Sequence, residues 1–101
     1  MSEPSLQYEW DEEKDQNNQR RHGIFFADAL SVFDDPSLLS IYDVGHSENE
    51  HRWITLGRNA SGAVLVVVHT VRGEVPAERI RIISARYATN REERQYYVRS
   101  G

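Results

Sequence analysis

The five consecutive residues Val64-Leu65-Val66-Val67-Val68 are apolar at odd and even positions alike. Side chains of a strand alternate between its two faces, so a run with no polar face reads as the central strand of a sheet. The flanking segments supply its neighbours. Arg52 to Arg58 alternates well and is joined by the turn Asn59-Ala60-Ser61-Gly62 to a strand expected over Ala63 to Val71. Leu38 to Tyr42 reads as an earlier strand, followed by a polar loop from Asp43 to Glu50. Gly73 and Pro76 mark a second loop, after which Arg79 to Arg86 is expected to pair antiparallel with its predecessor.

Helices bracket these strands. Asp11 is a suitable N-cap and Gly23 a suitable C-cap for a helix from Glu12 to His22. Its acids, Glu12 and Glu13, stand in the first turn and its cations, Arg20, Arg21 and His22, in the last, as the helix dipole prefers. A second helix is expected from Phe26 to Phe33, stopped by Asp35-Pro36. Thr89 with Glu92 three residues later forms a capping box for a last helix reaching about Arg99. The predicted class is α+β: two N-terminal helices, a four-stranded mainly antiparallel sheet and a C-terminal helix. Residues 1–7 read as a disordered leader and 8–101 as a single domain, the size 101 residues allow.

The net charge of −4 conceals a division along the chain. Residues 1–50 carry 12 Asp and Glu against 3 Lys and Arg; residues 51–101 carry 4 against 9. Local field rather than total charge attracts a polyanion, so an acidic total does not exclude nucleic acid. With no cysteine there are no disulfides and no thiol chemistry. No signal pattern opens the chain, and the longest apolar run, Ala63 to Val68, is too short to span a bilayer. The expectation is a soluble, cytoplasmic protein with no membrane partner.

The segment Arg79-Ile80-Arg81-Ile82-Ile83-Ser84-Ala85-Arg86 is a buried-strand pattern that carries three arginines. Arginine is permanently charged, and its planar fork matches phosphate. In a regular strand Arg79, Arg81, Ile83 and Ala85 take one side, while Ile80, Ile82, Ser84 and Arg86 take the other. Arg81 and Arg86 are thus expected on opposite faces. The alternative use of these cations is to pair with the acidic first half of the chain.

Among titratable groups, His22 fits a charge–dipole contact at a helix end as well as general acid–base work. His69, inside a strand, fits a core or edge position. His46 and His51 lie in a polar loop without a third ligand pattern, so no metal site is expected. Glu50, just ahead of Arg52, is either a base or an ion-pair partner. Lys14 is expected to lay its stem on apolar surface, and Arg72, heading the Gly73 loop, to be exposed and within reach of a ligand. Tyr96 and Tyr97 read as packing residues or as stacking surfaces for a base. No phosphate-cradling glycine loop, serine nucleophile elbow or redox motif is present, and no cofactor is expected.

Taken together these residues resemble the BrnT family of toxins from type II toxin–antitoxin systems. The resemblance opens with Tyr8-Glu9-Trp10-Asp11-Glu12-Glu13-Lys14, Asn18, Arg21-His22-Gly23-Ile24 and Phe26. It continues through Ala29, Phe33, Asp35-Pro36 and Glu50-His51-Arg52. It closes with Val66-Val67-Val68-His69-Thr70, Arg81 to Arg86, Ala88-Thr89, Glu92-Glu93-Arg94 and Tyr97. Arg21 stands where lysine is common, and the loop from Arg72 to Arg79 is longer than the pattern.

The resemblance implies a RelE-like fold and a metal-independent endoribonuclease that inhibits translation by cutting RNA. It also implies a BrnA-like ribbon-helix-helix antitoxin, through which alone operator DNA is engaged. On that basis Arg72 and Arg86 are expected to neutralise the scissile phosphate, with His22 or Glu50 moving protons. Lys14, Arg52, His69, Arg81 and Arg94 are expected to contact RNA or brace the site. The alternative is a catalytically inactive domain of the same fold that binds antitoxin or nucleic acid.

Overall fold

A computed structural model describes residues 7–46, 51–73 and 78–100. Five strands form one mixed sheet: β1 (Gln7–Glu9), β2 (Leu39–Tyr42), β3 (Arg52–Arg58), β4 (Val64–Arg72) and β5 (Arg79–Tyr87), in the spatial order β1-β5-β4-β3-β2. The apolar run lies at the centre of the sheet, in β4, and Val64 to Val67 are buried on both faces. β2 through β5 pair antiparallel, whereas β1 pairs parallel with β5 through Gln7–Arg79, Tyr8–Ile80 and Glu9–Arg81. The expected four strands therefore become five. The short edge strand β1 escapes sequence reading because three residues cannot display a period, and it draws Gln7 into the domain.

Helix α1 (Glu12–His22) has the predicted bounds. The Asp11 carboxylate accepts from the backbone N–H groups of Glu13 and Lys14, and Gly23 ends it in the left-handed conformation at φ 73°. The helix contains no apolar residue, and its buried side chains are Asp15 and Asn18. Polar anchors hold it instead. Asp15 accepts from the Phe26 N–H at 2.7 Å, and Asn18 bonds to Ile24 and to Ala85. The expected single helix from Phe26 to Phe33 is split into α2 (Phe26–Ala29) and a 3₁₀ turn over Leu30–Asp34. The last helix, α3 (Asn90–Ser100), starts at the predicted capping box: Glu92 N–H donates to Thr89 Oγ1 and Thr89 N–H to Glu92 Oε1.

One face of the sheet is the core face. Phe26, Ala29 and Val32 from α2 and the 3₁₀ turn pack there on Leu65, Val67, Ile80, Ile82 and Ala85. Gly57 lies where the turn presses on β3. A Cβ there would stand 2.8 Å from Val32 Cγ1, so only glycine admits the approach. At the same place Asp35 collects three donors, from Ser37 N–H, Arg58 N–H and the Tyr96 hydroxyl, and so ties α3 to the turn. No described helix is long and apolar enough to cross a membrane.

Candidate functional site

The other face of the sheet carries the arginines, and an irregularity in β5 gathers them there. Val68 pairs with Ser84, but the next residue, His69, pairs with Ile82. Ile83 is thus an extra residue, a β-bulge, and the alternation of β5 changes phase across it. Ile80, Ile82 and Ala85 all point into the core, and Arg79, Arg81 and Arg86 all point away from it. The sequence-based assignment of Arg81 and Arg86 to opposite faces, and of Ala85 to the side of Arg81, is therefore corrected. It assumed a regular strand, and a single inserted residue reverses every side chain beyond it.

Cross-strand partners share a face, so the registers arrange this side in rows. Arg52, Thr70, Arg81 and Glu9 form one row across β3, β4, β5 and β1. Arg72, Arg79 and Gln7 form the next row toward the loop end. On the other side of Arg52 and Arg81 lie the rows Ile41, Ile54, Val68, Ser84 and Leu39, Leu56, Val66, Arg86. Four arginines from three strands thus surround Thr70, which is fully buried and whose hydroxyl has no hydrogen-bond partner among the described residues. Arg81 lies 3.9 Å from Glu9, with both side chains partly exposed, a contact too open and long to consume the cation. Arg72 and Arg79 are exposed, as expected for Arg72; Arg52 is half-buried.

Arg86 is differently placed. Its guanidinium grips Glu92 with two parallel bonds, 2.8 and 2.9 Å long. Glu92 is also the capping-box residue, so one carboxylate joins β5 to the start of α3. The bond from Arg86 holds the Glu92 carboxyl at about 2, with the Thr89 N–H and hydroxyl assisting. Its own bond to Glu92 raises Arg86 further above its already high value.

The other described site residues are not members of these rows. His69 is 4% exposed on the core face, with its ring edge-on to Phe33 and Nε2 2.6 Å from Thr55 Oγ1. Burial pushes it down to about 4, so it is neutral at physiological pH. This is the core histidine that its strand position allowed, out of reach of a surface ligand. His22 ends α1, and Lys14 is exposed on the same helix. Arg94 is exposed on α3. Glu50 lies outside the described residues. The sequence counted Arg79 among three arginines suited to phosphate but gave it no particular place in the site, and it gave Thr70 no role. Only the strand register brings them to this face, and no local pattern announces a register.

His51 is exposed, and its Nδ1 lies 3.0 Å from the Tyr42 hydroxyl, with Trp53 edge-on to the same tyrosine. Among the described residues no three His, Asp or Glu side chains are grouped as a metal ion would require. The chemistry available on the arginine face is electrostatic: preorganised cations able to bind a polyanion and to stabilise charge that develops on a phosphate.

Comparison with known proteins agrees with this chemistry. A family model described as "Ribonuclease toxin, BrnT, of type II toxin-antitoxin system" matches residues 10–92. The match spans α1, β2 through β5 and the capping-box residue Glu92. No curated protein matches the chain.

Proposed function

Since the chain belongs to the BrnT family of ribonuclease toxins from type II toxin–antitoxin systems, we propose that its arginine face is where RNA is bound and cut. The observation that carries this reading is the strand register, which sets Arg52, Arg72, Arg79 and Arg81 on one face, together with the bulge at Ile83, which turns Arg86 to the same side. In this reading the protein is a metal-independent endoribonuclease with a RelE-like fold that inhibits translation. A BrnA-like ribbon-helix-helix antitoxin neutralises it, and that antitoxin, not this chain, engages operator DNA.

Cleavage without metal requires attack by the 2′-oxygen on the adjacent phosphorus, stabilisation of a dianionic phosphorane, and protonation of the departing 5′-oxygen. Arg52 and Arg81 flank the centre of the face and take the phosphorane charge, a contribution of about 10²–10³-fold for one well-placed donor. Arg72 and Arg79 hold neighbouring phosphates. Arg86 reaches the scissile phosphate only on release from Glu92, and otherwise fixes α3. Glu50 is assigned the proton transfer in preference to His22 because it stands two residues ahead of Arg52 in the chain, whereas His22 ends α1.

The test is cleavage of a 5′-labelled RNA by the purified protein in excess EDTA. Wild-type protein is expected to leave 2′,3′-cyclic phosphate ends, and Arg81→Ala and Glu50→Gln to slow the reaction about 100-fold while His22→Ala stays near wild type. Cleavage at the wild-type rate by Arg81→Ala would reject this face as the site. RNA binding that weakens steeply with salt, without cleavage, would instead favour the inactive binding domain.

A further inference from the structure

Beside the arginine rows, the same face of the sheet holds a groove of about 770 Å³ between α3 and strands β2, β3 and β4. Its floor is aliphatic: Leu39, Ile41, Ile54, Leu56 and Val66. Ile41 is 66% exposed at the open β2 edge, and Val98 of α3, on the opposite wall, is 80% exposed. Arg91, Arg94 and Arg99 line the α3 side. The single acid there is Glu92, and both its oxygens are taken by Arg86. An aliphatic trough whose wall carries three arginines and, among its lining residues, no acid other than Glu92 is not what a monomer's surface needs, and such patches mark interaction sites.

We propose that this groove seats an amphipathic helix of the antitoxin, with apolar residues on its inner face and Asp or Glu along the edge that meets α3. The geometry suits a helix, since α3 is 11 residues long and a partner of about three turns would lie alongside it. Charge complementarity with Arg91, Arg94 and Arg99 requires acids on that partner. RNA fits the floor poorly. Among the floor residues none offers an aromatic ring on which a base could stack. The row of Ile41, Ile54 and Val68 adjoins the row of Arg52 and Arg81, so an occupant of the groove would stand at the border of the RNA face. Neutralisation then needs no change in the fold, only cover beside the cleavage site.

The occupant's identity rests on the toxin reading, but the test reads binding rather than cleavage, so the two can fail separately. The purified antitoxin is titrated calorimetrically into full-length wild-type protein, Ile41→Asp, Val98→Asp, the double variant, and Arg91→Glu with Arg99→Glu. Both apolar positions are largely exposed, so these proteins are expected to melt with the wild type and to cut RNA at its rate. Antitoxin affinity is expected to fall at least 100-fold in the double variant, and the arginine reversals to weaken it in a salt-dependent way. Undiminished affinity in the double variant overturns the proposal. So does loss of RNA binding in the double variant with antitoxin binding intact. A wild-type homodimer, seen by sedimentation and dissolved by Ile41→Asp, would assign the groove to a second copy and likewise overturn it. Absence of RNA cleavage with the expected loss of antitoxin affinity would remove the cleavage reading and leave the groove assignment standing.

Discussion

The side-chain amide of Asn18 donates to the carbonyl of Ala85 at 2.8 Å and accepts from the N–H of the same residue at 3.0 Å. β1 pairs with β5 only from Arg79 to Arg81, so Ala85 lies on the stretch of β5 edge that β1 leaves uncovered. One helical side chain there does what a further strand residue would do. The same amide also donates to the Ile24 carbonyl at 2.9 Å. Asn18 thus binds α1, the chain leading into α2, and β5 at one point, in a helix that has no apolar residue to bury.

Asn18→Ala should therefore cost more than an ordinary helix substitution. It leaves buried backbone groups of Ala85 and Ile24 unpaired, and the expected loss is about 3 kcal/mol, read as a lowered urea midpoint. Asn18→Asp should do no better. A carboxylate can still accept from the Ala85 N–H but confronts two carbonyls that need a donor. Equal stability of wild type and Asn18→Asp would show that the amide does not hold this junction.

Gly57→Ala tests the contact between the 3₁₀ turn and β3. The added methyl meets Val32 Cγ1 at 2.8 Å and the Val32 carbonyl oxygen at 3.3 Å. Backbone cannot yield as a flexible side chain can, so the expected destabilisation is about 1–3 kcal/mol. Because Asp35 and Tyr96 meet at the same place, near-ultraviolet dichroism should report a disturbed tyrosine environment together with the lower melting temperature.

His69 predicts a pH dependence of stability. Unfolded, its imidazole takes up a proton near 6.5; folded, burial delays uptake to about 4. As pH falls from 6.5 to 4 the unfolded state gains a proton that the native state refuses, so stability declines across that window and levels below it. The full difference is on the order of 3 kcal/mol. Denaturant midpoints from pH 7 to pH 4 should fall in the wild type, and the fall should be shallower in His69→Leu. Parallel curves for the two proteins would refute the assignment.

How much of this could be read from the chain differs between elements. α1, β3 and the start of α3 were legible to the residue, because Asp11, Gly23, the alternation of Arg52–Arg58 and the Thr89–Glu92 box are local chemical signals. The central position of β4 followed from its two apolar faces. The 3₁₀ turn was hidden because Leu30 and Phe33 satisfy a helical stripe whether or not the helix continues. The site was least legible. Three arginines in β5 were conspicuous, but their common face depends on Ile83 bulging against β4. Arg79 and Thr70 acquire meaning only through partners on other strands. His69 matched the family pattern yet proved to be core, since no residue type reveals its own burial.

Phosphate contact by the arginine face makes a quantitative prediction for RNA binding. Each single-strand phosphate neutralised contributes about −0.7 to the slope of log affinity against log salt. Arg79 is exposed in the row beside Thr70 and has no assigned part in bond cleavage. Arg79→Ala should weaken RNA binding and flatten that slope by about 0.7, measured by fluorescence anisotropy at several salt concentrations. An unchanged slope would remove Arg79 from the RNA contact surface.

Arg86 and Glu92 offer the sharpest separation of structure from catalysis. Their bidentate contact also carries the capping box of α3, so Arg86→Ala and Glu92→Gln should both loosen the start of that helix. With side chains 40% and 27% exposed, solvent screening limits the pair's worth to about 1 kcal/mol. The Glu92 carboxyl, held at about 2, keeps this contribution at neutral pH and loses it only as pH falls from 4.5 toward 2. If Arg86 serves only α3, the two variants should show similar small losses of melting temperature and similar cleavage rates. If it also reaches the scissile phosphate, Arg86→Ala should cut RNA about 100-fold more slowly than Glu92→Gln at equal stability. Because Glu92→Gln releases its partner arginine, a cleavage rate in that variant at or above wild type, with Arg86→Ala far below it, assigns Arg86 to the reaction.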